Sequence, residues 1–353
     1  MDARTEPRMT RKREVPLKAV LIREFGPPNV MRVEEVPTPE PGEGEVLIRV
    51  HAVSVNRTLD LVVRAGEYDR PVTLPLVPGV DPAGVIAKVG PGVDGRKVGD
   101  RVVTALRVDR ESQFAAPRLL GVHTWGGYAE YVKTQAAKTQ LVPDGLDFPT
   151  ACVVARHAPT AFHLLRDRAK LKEGEWVLVM GAAGGLGSAG VQAAKYLGAK
   201  VIAAAGADER VQVGLDLGAD AGVNYRASDL TAEVLRITEK RGVNVVFENI
   251  ADPVLFPKAF AAIARHGRLV TAGAHGGGTV PLDVKHLYHN QIMVIGATGE
   301  TPDDVRMSLQ AATEGRFKVV IDKILPLAEA VQAHELVASR SGLGKVVLDA
   351  TRI

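Results

Sequence analysis

Gly181-Ala182-Ala183-Gly184-Gly185-Leu186-Gly187 is the segment with the plainest chemical meaning. Small residues in an A-x-G-x-x-G pattern follow the apolar run Trp176–Met180 and precede an Ala-rich stretch. At such a strand-to-helix junction a pyrophosphate can approach the backbone, while the helix start offers free N–H groups and a partial positive charge. Gly184 would meet the phosphates and Gly187 would let helix and strand pack closely. The ribose must be recognised as well. Where an acidic side chain would bond the ribose hydroxyls of NAD, the next strand ends in Ala204-Ala205-Gly206, with no carboxylate to repel a 2′-phosphate. The pattern therefore predicts NADPH as the cofactor.

The surrounding sequence supplies the scaffold. From about residue 160, apolar runs alternate with helical stretches: strands at 176–180, 201–204, 244–247, 267–272 and 291–296, and helices over 186–197 and 209–217. Strands alternating with helices make parallel β-α-β units, in the number a dinucleotide-binding sheet requires. Between residue 18 and about 132, β-branched runs closed by Gly or Pro predict an all-β region with strands at 45–50, 84–90 and 100–103. Helices over 303–312 and 327–337 and a strand over 345–348 are expected to return the chain to that first region.

A length of 353 residues, 46% hydrophobic and 24% charged, predicts two globular domains. No apolar run approaches the roughly 18 residues of a membrane span, so no membrane association is expected. The net charge of +3 is spread along the chain, which argues against a nucleic-acid partner and leaves a small-molecule substrate. The single cysteine, Cys152, excludes a disulfide framework and a Cys-rich zinc module and fits a reducing, cytoplasmic setting. Residues 1–16 lack the apolar core of a secretory signal and read as a disordered tail.

Pro41-Gly42-Glu43-Gly44-Glu45-Val46-Leu47-Ile48-Arg49-Val50, Gly99-Asp100-Arg101-Val102, Gly126-Gly127-Tyr128-Ala129-Glu130-Tyr131 and the glycine turn follow one another in a recognisable order. Over residues 18–348 the chain resembles the medium-chain dehydrogenase/reductase superfamily, and within it the zinc-free NADPH:quinone oxidoreductase branch. The resemblance implies an α/β fold: a GroES-like β-barrel catalytic domain (17–155 and 299–353) around a Rossmann doubly wound parallel sheet (156–298). It implies hydride delivery to a quinone or an α,β-unsaturated carbonyl compound. The alternatives are enoyl-CoA or acrylate-type reduction, alcohol dehydrogenation, and NADPH binding with little turnover. A homodimer joined at sheet edges around 291–295 is also implied.

Residue by residue, the resemblance implies that Gly206, Arg210, Tyr225 of Asn224-Tyr225-Arg226, and Arg340 hold the 2′-phosphate, Arg through planar, charge-assisted hydrogen bonds. Ala183, Gly184, Gly185, Leu186, Asn249, Ala272, Gly273 and Ala274 would line the dinucleotide. Thr160, Gly296, Ala297 and Thr298 would sit close to the nicotinamide. The positions of the family's catalytic zinc ligands fall at Asn56 or Arg57, in Gly79-Val80-Asp81, and at Arg156, while residues 107–122 replace the cysteine-rich lobe. A catalytic zinc needs three Cys, His or acidic ligands, so no metal is expected. Hydride addition to an activated C=C remains feasible, because the substrate delocalises the developing charge.

On the substrate side, Asn56 and Asp60 both match, yet they stand four positions apart where the branch has three. Either Asn56 or Arg57 then faces the substrate. Tyr68 either borders the quinone pocket or packs in the core. Arg57, Arg64 and Arg156 would select a carboxylate, phosphate or CoA substrate if they meet the cleft, and otherwise serve as surface or ion-pair residues. His123 is either a proton donor to the enolate carbon or a hydrogen-bonding loop residue.

Overall fold

Val177, Leu178, Val179 and Met180 are fully buried, as a strand covered by helices on both faces must be. The computed structural model describes residues 16–109, 115–339, 342 and 344–353. In it Trp176–Met180 lies inside a six-stranded, all-parallel sheet. Across the sheet the order is Ala221–Asn224, Lys200–Ala205, Trp176–Met180, Val243–Glu248, Ile263–Thr271, Met293–Gly296. In chain order that is 3-2-1-4-5-6, the doubly wound arrangement in which ligands bind where the order reverses. The reversal falls between Trp176–Met180 and Val243–Glu248.

The second unit is a seven-stranded sheet built around Glu45–Ser54, which pairs with Ala83–Val89 on one side and with Tyr131–Gln135 and Lys345–Asp349 on the other. The expected return of the chain is thus observed. Val347 stands opposite Ser54 in an antiparallel ladder, and Val55 N–H donates to the Val346 carbonyl at 2.9 Å. Tyr128, fully buried, ties the Gly126–Tyr131 segment to the helix Ala330–Ser339 through its hydroxyl, 3.1 Å from His334 Nε2.

The all-β expectation for residues 18–132 needs one correction. Residues 57–65 are helical: a π-type turn, Arg57–Leu61, runs into the short helix Val62–Ala65. Pro16, assigned to the tail from sequence, opens the first strand, Pro16–Ile22, and residues 1–15 lie outside the described residues.

The helix Phe148–Phe162 joins the two units. Its start is capped by Asp147, whose carboxylate accepts from Thr150 N–H at 2.7 Å, and Pro149 fits the first turn, where no N–H is needed. Ala151, Cys152, Ala158 and Phe162 pack into one apolar cluster with Ala52, Ala83 and Val103 of the first sheet, Val177 and Val179 of the second, and Val191 of the helix Gly185–Tyr196. Burying a side chain such as Phe162 contributes about 1.5–3 kcal/mol. That shared core fixes the helix against both sheets, and with it the residues it presents between them. Among the described residues no helix is long and apolar enough to cross a membrane.

Candidate functional site

The glycine turn is built as its spacing predicts. Met180 ends the strand, Gly181 takes φ +66°, a left-handed conformation natural to glycine, and Gly184 caps the helix Gly185–Tyr196. A Cβ on Gly187 would collide with the Gly181 carbonyl oxygen, so glycine there lets helix and strand meet. Gly184 and Gly185 are exposed, and Ala183 and Leu186 are half-buried. The first-turn N–H groups and the positive end of the helix dipole face outward, a fit for a dinucleotide pyrophosphate. The His157 ring, carried by the 148–162 helix, lies against Gly185. Burial, reinforced by the cations Arg156 and Lys345, holds His157 well below the usual histidine range, so the ring is neutral.

The other dinucleotide candidates gather at the same strand ends. Asn249 spans the reversal point, its Nδ2 donating to the Met180 carbonyl at 2.7 Å, so its amide ties the strand ends together. Gly273 packs on the Asn249 backbone, Ala272 is half-buried and Ala274 exposed. Ala297 N–H donates to the Thr271 carbonyl at 3.1 Å, placing Gly296, Ala297 and Thr298 beside that loop. Thr160 lies half-buried near the end of the 148–162 helix.

At the far end of the turn, Gly206, Arg210 and Tyr225 come together. A Cβ on Gly206 would stand 3.2 Å from both the Tyr225 hydroxyl and Arg226 Nε. Burial raises the Tyr225 hydroxyl, while Arg226 and Arg210 pull it down. Arg226 was not singled out from sequence, although it adjoins Tyr225 in the same segment. Asp208, the nearest acid after Gly206, accepts from Asn224 Nδ2 at 2.7 Å. Arg340 lies outside the described residues.

At the positions where the family holds its metal, the structure shows a closed polar network. Asp81, 3% exposed, accepts at Oδ1 from Ser54 N–H (2.8 Å) and at Oδ2 from Ser54 Oγ (2.5 Å) and Asn56 Nδ2 (2.9 Å). Asn56 Nδ2 also meets Ser54 Oγ at 3.1 Å, and Asn56 Oδ1 accepts from Lys345 Nζ at 2.8 Å. Asn56 is 1% exposed. This corrects the expectation that it faces the substrate: its amide is spent on Ser54, Asp81 and Lys345, so it acts behind the reacting surface. Sequence reasoning missed Lys345, because a lysine opening a strand ordinarily reads as solvated.

Asn56 and Asp60 are joined within one turn. The Leu61 N–H reaches the Asn56 carbonyl at 3.3 Å, an i to i+5 contact, so the π-type turn absorbs the extra residue. Asp60 thereby keeps its place, accepting from Asn56 N–H at 2.8 Å and Gly79 N–H at 3.0 Å. Burial, followed by the neighbouring Asp81 charge, pushes Asp60 up to about 7. Arg57, next in the chain, is half-buried.

A zinc ion does not fit this donor set. Ser54, Asn56, Asp81, Arg156 and Lys345 include no thiolate or imidazole, both Asp81 oxygens are occupied, and an ammonium is present. Among the described residues, His163, Asp167 and Asp304 form the one cluster of potential metal ligands. The i, i+4 spacing of His163 and Asp167 was the available signal for it. Arg166 pairs with both carboxylates, at 2.7 Å to Asp167 and 2.8 Å to Asp304, which makes it an ion-pair cluster.

A cavity of about 470 Å³ opens between the first sheet and the start of the helix Pro302–Thr313, lined by Arg107, Lys138, Gln140, Glu300 and Pro302 among others. Arg107 donates to Thr298 Oγ1 at 2.8 Å, beside the loop assigned to the nicotinamide. Burial raises the Glu300 carboxyl, against the pull of Arg156 and Arg107. Of the three arginines proposed for the cleft, Arg156 is half-buried and acts on the lining residue Glu300 through its charge. Arg64 is buried and donates to the Gly26 carbonyl at 3.0 Å, a structural role set by its place at a helix end. Tyr68 meets His123 edge to face, with ring centroids 6.0 Å apart. His123 Nδ1 accepts from Leu119 N–H at 3.0 Å, the loop-bonding alternative.

Comparison with known proteins gives two family matches: residues 42–144 to the alcohol dehydrogenase GroES-like domain, and residues 185–322 to the zinc-binding dehydrogenase domain. The chain is 32% identical to human quinone oxidoreductase over 340 residues, covering 94% of this chain and 97% of that protein. It is also 32% identical to an alcohol dehydrogenase of Geobacillus stearothermophilus over 344 residues, 94% and 99% of the two chains. Among solved structures, that of AibC superposes with a TM-score of 0.90 at 32% identity, covering 96% of each chain.

Proposed function

The chain belongs to the medium-chain dehydrogenase/reductase superfamily, and within it we propose a zinc-independent, NADPH-dependent reductase acting on a quinone or an α,β-unsaturated carbonyl compound. It is an oxidoreductase by that membership. The observation that carries the finer reading is the donor set at the metal positions: an amide, a hydroxyl, a saturated carboxylate and an ammonium. Such a set suits a substrate that carries its own charge sink.

NADPH, when bound, supplies the hydride. The protein's part is placement. The first turn of Gly185–Tyr196 receives the pyrophosphate, and Arg210, Arg226 and the Tyr225 hydroxyl converge where a 2′-phosphate would sit. Arg107, which lines the cavity, braces the loop at Thr298. The neutral His157 ring, pressed on Gly185, helps exclude water from the junction of the two units. Water provides the final proton to carbon.

Arg107 and Lys138, which line the cavity, favour a second reading, in which the unsaturated carbonyl is part of an anionic acyl compound such as an enoyl thioester. Met293 and Val294 lie exposed on the edge strand of the parallel sheet, and we propose that a second copy of the chain pairs there. The testing assay is initial NADPH oxidation against 1,4-benzoquinone, a simple enone and an enoyl-CoA, with NADH and a chelator in parallel. Chelator-insensitive turnover of one class with preference for NADPH is expected. Turnover abolished by chelation and restored by zinc would refute the reading.

A further inference from the structure

The ammonium of Lys345 stands among the residues that replace a metal's ligands, and the ladder puts it there. Lys345 opens the strand Lys345–Asp349, which pairs with Glu45–Ser54 so that the Val346 carbonyl receives Val55 N–H. That register carries the Lys345 side chain to Asn56. Among the described residues its one hydrogen-bond partner is Asn56 Oδ1, at 2.8 Å. An ammonium has three donors, so two are left for a further acceptor.

The network behind it has a direction. Asp81 and Ser54 take the Asn56 amide nitrogen, which leaves Asn56 Oδ1 turned to Lys345, and the buried Asp81 carboxylate balances the charge. Cys152, Arg156 and His157, on the 148–162 helix, are the ammonium's other charged or titratable neighbours along with Asp60. Since His157 touches Gly185, this places the ammonium near the turn assigned to the dinucleotide. A half-buried cation with one of its three donors engaged, standing at the positions that replace a metal's ligands, is poised for an oxygen that gains negative charge.

We propose that Lys345 is a catalytic residue, which donates a hydrogen bond to the substrate carbonyl oxygen and performs the electrophilic role of the missing metal. The inference rests on the reductase reading above. As hydride adds to the β-carbon, the C=C electron pair shifts and the carbonyl oxygen becomes an enolate. A Lys345 N–H bonds that oxygen, and lysine keeps its proton. Water then protonates the α-carbon, completing the two-electron reduction. In a quinone the same donor bonds the hydroquinone anion. Asn56 and Asp81 are positioning residues that orient the ammonium.

The test uses 4-nitrophenol, a phenolate analogue of the enolate whose ionisation is read from its visible absorbance, bound to the full-length protein without dinucleotide. A cation within hydrogen-bond distance lowers the ionisation midpoint of the bound phenol by about 1–3 pH units. The shift should vanish in Lys345→Met, with kcat for the preferred substrate falling and NADPH affinity, read by fluorescence, unchanged. Wild-type protein whose bound probe ionises like free probe, or which binds none, overturns the proposal, as does a Lys345→Met variant that keeps the shift. Should Lys345→Met not fold, the wild-type titration still decides. Because the probe needs no turnover, failure of the substrate panel with an intact shift would discard the reaction and leave the oxyanion site standing.

Discussion

Replacing Asp60 by Asn should reveal how much strain the buried carboxyl carries across the neutral pH range. Asp60 is fully buried, and its ionisation moves from 3.8 in an exposed setting to about 7 here, through burial and the nearby Asp81. Between those values the folded protein holds a proton that the unfolded chain has released, so stability contributed by this group falls as pH rises. One pH unit of difference corresponds to about 1.4 kcal/mol, or about 4 kcal/mol over the whole window. Allowing for partial ionisation near pH 7, roughly 2 kcal/mol is lost between pH 5 and 7. Buried histidines tilt the wild-type curve the other way, so the comparison must be with the variant. Urea unfolding of wild type and Asp60→Asn at pH 5, 6, 7 and 8 measures it. The wild-type advantage should shrink by roughly 2 kcal/mol from pH 5 to 7 and flatten above that. An advantage constant with pH, or growing with it, would refute the reasoning.

Arg210→Ala combined with Arg226→Ala should weaken NADPH binding by about tenfold or more and leave NADH within about threefold, as fluorescence titration would show; equal losses would remove the 2′-phosphate assignment. Gly187→Ala should lower stability by about 1–3 kcal/mol in thermal melting, because its Cβ meets backbone. Gly184→Ala should instead fold normally and bind NADPH poorly, since its nearest obstacle is the Gly181 carbonyl oxygen at 3.3 Å. Val294→Arg places a charge on the exposed edge strand and should shift sedimentation toward the monomer.

The parallel sheet and its glycine turn were legible because each rests on local pattern: the strand Trp176–Met180 was predicted with both ends in place. Met293–Gly296 begins two residues later than expected, because Gln291 takes φ +53° and ends the preceding turn. The substrate side was harder to read. An extra residue between Asn56 and Asp60 can be absorbed in either direction, and only the π-type turn shows that both residues hold their places. Arg64 carries no mark in sequence that it folds back on Gly26. Lys345 reaches Asn56 only through a strand pairing across the length of the chain, which no local pattern encodes.

That pairing has a consequence for how the protein is made. Asn56 and Lys345 are 289 residues apart, so a chain emerging from the ribosome carries the first sheet with an open edge throughout synthesis of the parallel one. The dinucleotide-binding unit can close on itself as soon as residue 296 is out. Ser54, Asn56 and Asp81 must wait for their cation. Dinucleotide capture thus precedes completion of the Lys345 network in the order of synthesis, and chains arrested before residue 345 would bind dinucleotide with an unfinished site.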